Sequence, residues 1–182
     1  MSLAVKVDAF LANFWGDPKT SIERDLVLNF KKLLEEGALD HQERMLNLLA
    51  IATSLESQPL IEFARSELVE LGLTEEMILE AKQNAAIMGM LNTYYKFKSF
   101  LTPELVSEHY NRAGLRMQSL MKPANGKERF EQMSFAVSVV NGCPTCVSSH
   151  ERALSDLGTS KEKIHDLARM AAVTKGLVTL KV

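Results

Sequence analysis

The chain has 182 residues, of which 46% are hydrophobic, and a formal charge of −2 at neutral pH. These values are typical of a soluble globular protein with a sizeable core. Lysine and arginine are not clustered as nucleic-acid binding requires, and no apolar run reaches the roughly 18 residues that span a bilayer. Asp8 stands where a signal sequence would stay apolar, so we expect a cytoplasmic protein.

Helical periodicity dominates the chain and predicts an all-α fold. We expect five helices in the first part, and the first carries an apolar stripe from Val5 to Phe14. The next four begin at a capping residue or a proline, which are favoured where backbone N–H groups lack partners. These starts are Thr20 or Ser21, Asp40, Pro59 and Thr74. Gly89, inside the long fifth helix, indicates close packing against another helix.

A less regular connector with short helices is predicted over residues 101–125. Three helices follow it, over about 128–140, 143–158 and 159–175. The first of these should be amphipathic and should end at the break Asn141-Gly142. Thr159 should cap the last, and the β-branched tail at 177–180 is the one stretch that resembles a strand.

The features of residues 43–86 recur in residues 131–172: a helix, a break, a helix, a Leu-Gly stop and a helix with paired alanines. This echo predicts one domain with an internal duplication. Residues of about 40–100 would form a non-catalytic half, and those of about 126–180 would carry the chemistry. Aligning the copies needs a shift of about two residues, which places Leu55 and Gln58 near the positions of the cysteines. Chance similarity between two helical segments is the alternative.

The two cysteines of the chain, Cys143 and Cys146, are separated by two residues, and His150 follows one helical turn later. In the cytoplasm such a dithiol is more often catalytic or metal-binding than structural. If Pro144 occupies the first helical position, Cys143 is the N-cap, and both sulfurs lie near free backbone N–H groups and the positive end of the helix dipole. This environment favours the thiolate, which is the reactive form.

Cys146 and His150 share a helix face, so the imidazole can exchange a proton with the thiol. Glu131, on the preceding helix, can fold back to orient His150 and complete a carboxylate–histidine–thiol relay. Three other interpretations stay open. The cysteines can be inert buried residues, they can bind zinc with His150 and Glu131, or Glu131 can be an ordinary solvated charge.

Residues 131–143, with Cys146 and His150-Glu151, closely resemble the AhpD alkylhydroperoxidases of the carboxymuconolactone decarboxylase superfamily. The resemblance spans nearly the whole chain, and further matches are residues 85–90, Asn92, Tyr95 and residues 114–117. It implies an all-helical fold with an internal duplication, assembled as a homotrimer. It also implies an antioxidant enzyme without a bound cofactor or metal. Such an enzyme passes electrons from a dihydrolipoyl group on a 2-oxoacid dehydrogenase component to the peroxiredoxin AhpC, and reduces alkyl hydroperoxides weakly itself.

The resemblance also implies residue roles. Cys146 would become the sulfenic acid, Cys143 would be its proton donor and disulfide partner, and His150 and Glu131 would form the proton relay. The residues alone do not decide which cysteine is the nucleophile. Cys146 lies near His150, but Cys143 is at the N-cap, where a thiol feels the helix dipole most strongly.

Thr145 departs from the family, whose members can carry a second histidine at this position. A hydroxyl cannot take up a proton near neutral pH, so the expectation moves from direct peroxidase activity towards dithiol electron relay. Two rivals are a decarboxylase-like member of the same superfamily and a non-enzymatic module that senses redox state or is stabilised by zinc. The decarboxylase chemistry needs no cysteine pair.

Overall fold

Helices account for nearly all the regular structure in the computed structural model, which describes residues 1–118 and 122–181. Strands are absent from these two stretches, so the all-α prediction is confirmed. The helices are α1 (Leu3–Phe14), α2 (Ser21–Glu35), α3 (His41–Ser54), α4 (Gln58–Glu70), α5 (Glu75–Ser99), α6 (Pro103–His109), α7 (Lys127–Asn141), α8 (Pro144–Asp156) and α9 (Lys161–Lys181). Residues 119–121 of the predicted connector lie outside the described residues. Among the described helices, none is both long enough and apolar enough to cross a membrane.

Most helices begin where capping side chains predicted, but the start of α9 differs. Its first turn is capped by Ser160, whose Oγ accepts the backbone N–H of Lys163 at 3.3 Å. Thr159 instead donates its hydroxyl to Glu128 of α7 at 2.8 Å. The helix also runs past the predicted end and includes the β-branched tail, because Leu177 is buried in the core.

The middle of the central helix α7, residues 132–138, is buried on every side, so the prediction of an amphipathic helix was wrong. Three polar residues in this stretch, Gln132, Ser134 and Ser138, are fully buried and hydrogen-bonded to other helices, so polar residues in the sequence did not mark an exposed face. Asn84 of α5, for example, donates to Ser134 Oγ at 2.8 Å. The prediction for Gly89 was also wrong, since a Cβ at this position would have no neighbour within 4 Å.

The backbone hydrogen bonds of α3–α5 recur in α7–α9 at a constant spacing of 86 residues. The Ser57 N–H donates to Ala52 O at 3.0 Å, and the Cys143 N–H donates to Ser138 O at 3.2 Å. The turns at Gly72 and Gly158 repeat in the same way. No shift is needed midway, so Ser57 and Leu60 correspond to the two cysteines, rather than Leu55 and Gln58.

Two buried carboxylates at corresponding positions join the halves. Glu80 of α5 accepts the Ala124 N–H at 2.6 Å, just before α7 begins. Asp166 of α9 accepts the Ala38 N–H at 2.8 Å, just before α3 begins. The backbone approaches Asp166 so closely that a Cβ on Gly37 would lie 2.5 Å from its Oδ2. Each half therefore fixes the entry to the central helix of the other.

A third carboxylate, Glu43, links α3 to α7 and α9 and is only 4% exposed. Gln132 donates to its Oε1 at 2.8 Å, and the Lys163 ammonium lies 2.7 Å from the same oxygen. Burial opposes ionisation of Glu43, but the hydrogen bonds from Lys163 and Gln132 outweigh it and lower the pKa of this carboxyl. Glu43 is therefore an ionised group that ties three core helices together.

The variant Glu43→Gln should lower the free energy of unfolding at pH 7 by roughly 2 kcal/mol, because Lys163 loses a charged acceptor. The pKa of Glu43 is lower in the folded state than in the unfolded state. Its contribution is thus complete above the unfolded pKa and is lost as the pH falls through the folded pKa. The difference in the free energy of unfolding between wild type and variant should therefore shrink below about pH 4, as measured by urea unfolding.

Glu36→Gln, at the exposed end of α2, is the matched control and should change the unfolding curve little at any pH. If Glu43→Gln lowers the free energy of unfolding by the same amount at acidic and neutral pH, Glu43 is not ionised in the folded protein.

Candidate active site

A tight turn between α7 and α8 delivers the two cysteines. Gly142 ends α7 with φ of 64° and ψ of 44°, a left-handed conformation that glycine adopts without steric cost. The Cys143 N–H then turns back to Ser138 O at 3.2 Å. The break predicted at Asn141-Gly142 is confirmed, and it places Cys143 directly at the start of α8.

Cys143 is the N-cap of α8 and Pro144 follows in its first turn, as the sequence predicts. The Sγ of Cys143 accepts the backbone N–H of Cys146 at 3.3 Å, so one free donor of the helix start points at a sulfur. The two cysteines form a disulfide, and their Cα atoms are 5.3 Å apart. Cys143 is fully buried, whereas Cys146 is 7% exposed.

Glu131 and His150 meet across the turn, as predicted. His150 Nδ1 lies 2.7 Å from Glu131 Oε2, and each side chain is 19% exposed. An ionised carboxylate can only accept a hydrogen bond, so Nδ1 carries the proton and Nε2 stays available to another partner. Among the described residues, no hydrogen bond joins the imidazole to either sulfur in the disulfide state. His150 is one helical turn beyond Cys146 on α8.

A cluster of buried and partly buried polar side chains supports the turn, and the sequence did not indicate it. The amide cluster consists of Ser54, Asn92, Ser138 and Asn141. Asn92 donates to Ser138 Oγ at 2.9 Å and accepts from Asn141 Nδ2 at 2.9 Å, while Ser54 donates to Asn141 Oδ1 at 3.2 Å. Local sequence patterns do not reveal the role of Asn92, because its partners lie 46 and 49 residues away along the chain. It stands out in the sequence only through the family resemblance.

Lys96 also reaches this turn. It lies in the last turn of α5, and its Nζ donates to Asn141 O at 3.3 Å, at the carboxyl end of α7. A cavity of about 440 Å³ opens beside it, lined in part by Gly89, Phe97 and Phe100. Gly89 therefore borders open space rather than a packed helix.

The three other histidines, His41, His109 and His165, lie outside this arrangement. His41 is 3.6 Å from Glu67 near α1, and burial lowers its pKa despite that carboxylate. Within residues 1–118 and 122–181, no group of three or more His, Cys, Asp or Glu side chains has a geometry suited to a metal ion. The two sulfurs are bonded to each other, and zinc would require them as free thiolates.

Comparison with known proteins adds independent findings. Residues 118–180 match the Carboxymuconolactone decarboxylase family. An alkyl hydroperoxide reductase AhpD from Anaeromyxobacter dehalogenans is 38% identical, over 82% of this chain and 79% of that protein. The AhpD of Nocardia farcinica is 36% identical over 85% and 84%, and that of Rhizorhabdus wittichii is 33% identical over 91% and 94%.

The difference in burial predicts the order in which the reduced thiols react. We expect brief alkylation of the reduced protein to modify Cys146 faster than Cys143, on the order of tenfold, because reactivity needs access as well as thiolate character. Peptide mass spectrometry after quenching measures both sites. Cys143→Ser should leave Cys146 labelling nearly unchanged, and faster labelling of Cys143 would show that the accessible thiol has been misassigned.

Proposed function

This chain belongs to the AhpD family of the carboxymuconolactone decarboxylase superfamily, and we propose that it is a thiol peroxidase and disulfide reductase acting through Cys143 and Cys146. One observation carries the proposal. The two cysteines form a disulfide at a helix start, beside a Glu131–His150 pair with a hydrogen-bond distance of 2.7 Å. A short disulfide at a helix N-terminus has thiols that ionise readily once it is reduced.

In the proposed oxidative step, the Cys146 thiolate attacks one oxygen of an alkyl hydroperoxide. The O–O bond breaks, the alkoxide leaves as an alcohol after taking up a proton, and Cys146 becomes a sulfenic acid. Cys143 then attacks the Cys146 sulfur, a water molecule leaves, and the Cys143–Cys146 disulfide forms. The greater exposure of Cys146 and its position one turn before His150 support its role as the nucleophile.

His150 and Glu131 are proposed as the proton relay of this step. With Nδ1 held by Glu131, the other ring nitrogen of His150 can accept a proton from a thiol or give one to the leaving alkoxide. Glu131 fixes both the tautomer and the orientation of the ring, as a carboxylate does in other histidine relays.

In the reductive step, a dithiol attacks the Cys143–Cys146 disulfide, forms a mixed disulfide and leaves as a cyclic disulfide, which returns both thiols. A dihydrolipoyl group carried by a 2-oxoacid dehydrogenase component is the proposed donor, and an AhpC-type peroxiredoxin is the proposed electron acceptor. Thr145 is exposed beside the cysteines and cannot act as a second imidazole, which favours dithiol relay over rapid direct peroxidase turnover. A cytoplasmic homotrimer is part of the same proposal.

The test is the consumption of an alkyl hydroperoxide with dihydrolipoamide, with and without AhpC. We expect Cys146→Ser to abolish turnover, and Glu131→Gln to reduce it about 100-fold, because positioned proton transfer contributes this much or more. Ser148→Ala, an exposed change on the same helix, is the matched control and should keep wild-type turnover. Equal turnover by wild type and Cys146→Ser would rule out Cys146 as the nucleophile.

A further inference from the structure

The amide cluster fixes both ends of the turn that carries Cys143. Asn141 directly precedes the left-handed Gly142, and its side chain is held by Asn92 at 2.9 Å and by Ser54 at 3.2 Å. At the other end, Ser138 accepts the Cys143 N–H through its carbonyl and the Asn92 amide through its hydroxyl. Lys96 adds a hydrogen bond to the carbonyl of Asn141.

The first half of the chain provides an internal comparison, because the same turn forms there without these polar groups. Glu56, with φ of 56°, takes the place of Gly142, and the Ser57 N–H donates to Ala52 O at 3.0 Å. The residues 86 positions before Ser138 and Asn141 are Ala52 and Leu55, and the residue 86 positions after Asn92 is Val178. The backbone turn therefore does not require buried amides.

Buried amides are costly unless their hydrogen bonds are made, and apolar residues suffice at the corresponding turn. Asn92 is only 1% exposed, and both its donor and its acceptor are engaged. The feature that distinguishes the second turn is the cysteine at its end. In the oxidised protein the disulfide itself restrains Cys143, but in the reduced protein that restraint is gone.

We propose that Asn92 and Asn141 are positioning residues that hold the reduced Cys143 thiol where it can close the disulfide on Cys146. They act through the turn, since their side-chain hydrogen bonds go to the turn and its neighbours and not to a sulfur. This inference rests on the proposed function, in which Cys143 attacks the Cys146 sulfenic acid and water leaves. It locates the supporting residues on α5 and at the end of α7, outside the segment from Cys143 to His150.

The test separates the two chemical steps. In a single turnover of the reduced protein with an alkyl hydroperoxide, Asn92→Val should slow disulfide closure about tenfold, since small misplacements of reacting groups have effects of this size or larger. Peroxide loss in the first step should stay within about twofold of wild type, because Cys146 and its relay are unchanged. Trapping the sulfenic acid with a dimedone reagent should give a higher yield in the variant.

A second variant and a second readout keep the outcome decisive. Asn141 is partly exposed, and Asn141→Leu introduces the residue found at the corresponding position of the first turn. This variant should slow disulfide closure in the same way. Thr93→Val, next to Asn92 but bonded only within its own helix, is the control and should behave as wild type. The equilibrium of the cysteine pair with dihydrolipoamide and lipoamide should shift about tenfold towards the dithiol in both cluster variants.

The dihydrolipoamide equilibrium needs no peroxide, so it tests the positioning role even if peroxide proves not to be a substrate. Failure of the wild type to consume peroxide would contradict the proposed function alone. Closure rates and equilibrium constants equal to wild type in both cluster variants would overturn the positioning role. Equal slowing of both steps would also overturn it, because that result indicates a general distortion.

Discussion

The rest of the structure depends on two buried carboxylates, Glu80 and Asp166, each of which hydrogen-bonds to the backbone of the other half. Each accepts the backbone N–H that precedes the central helix of the other half. This arrangement lets α3 and α7 lie side by side in the core, where polar residues must pair across helices, as Glu43 does with Gln132 and Lys163. With α7 fixed at its entry, its far end becomes a rigid platform for the turn into α8.

The two halves share a backbone pattern, and a few side-chain differences give one of them a cysteine pair. Both halves contain a left-handed residue followed by an N-cap, at Glu56-Ser57 and at Gly142-Cys143. A serine cap offers no redox chemistry, whereas a cysteine at the same place is half of a dithiol. The turn thus provides the geometry, and the sulfurs, the Glu131–His150 pair and the amide cluster provide the function we propose.

Much of this could be predicted from local sequence patterns. Capping residues gave the helix starts, and Pro144 placed Cys143 at the N-cap, because these depend on residues within one turn. Local patterns could not predict that the middle of α7 is buried, nor the register of the repeat. Ser134 and Ser138 are polar but buried, since their partners lie on α5. The sequence suggested a shift of about two residues within the repeat, and only the hydrogen bonds show that the spacing is 86 residues throughout. The amide cluster was missed for the same reason.

The central claim is that Cys143 and Cys146 form a working redox pair within one chain. The most direct test adds one equivalent of an alkyl hydroperoxide to the fully reduced protein without oxygen, then counts thiols and maps disulfide-linked peptides by mass spectrometry. Our account predicts that both thiols are lost together, that Cys143 is linked to Cys146 of the same chain, and that dihydrolipoamide restores both. Thiols that survive the peroxide, or disulfides that join separate chains, would contradict it.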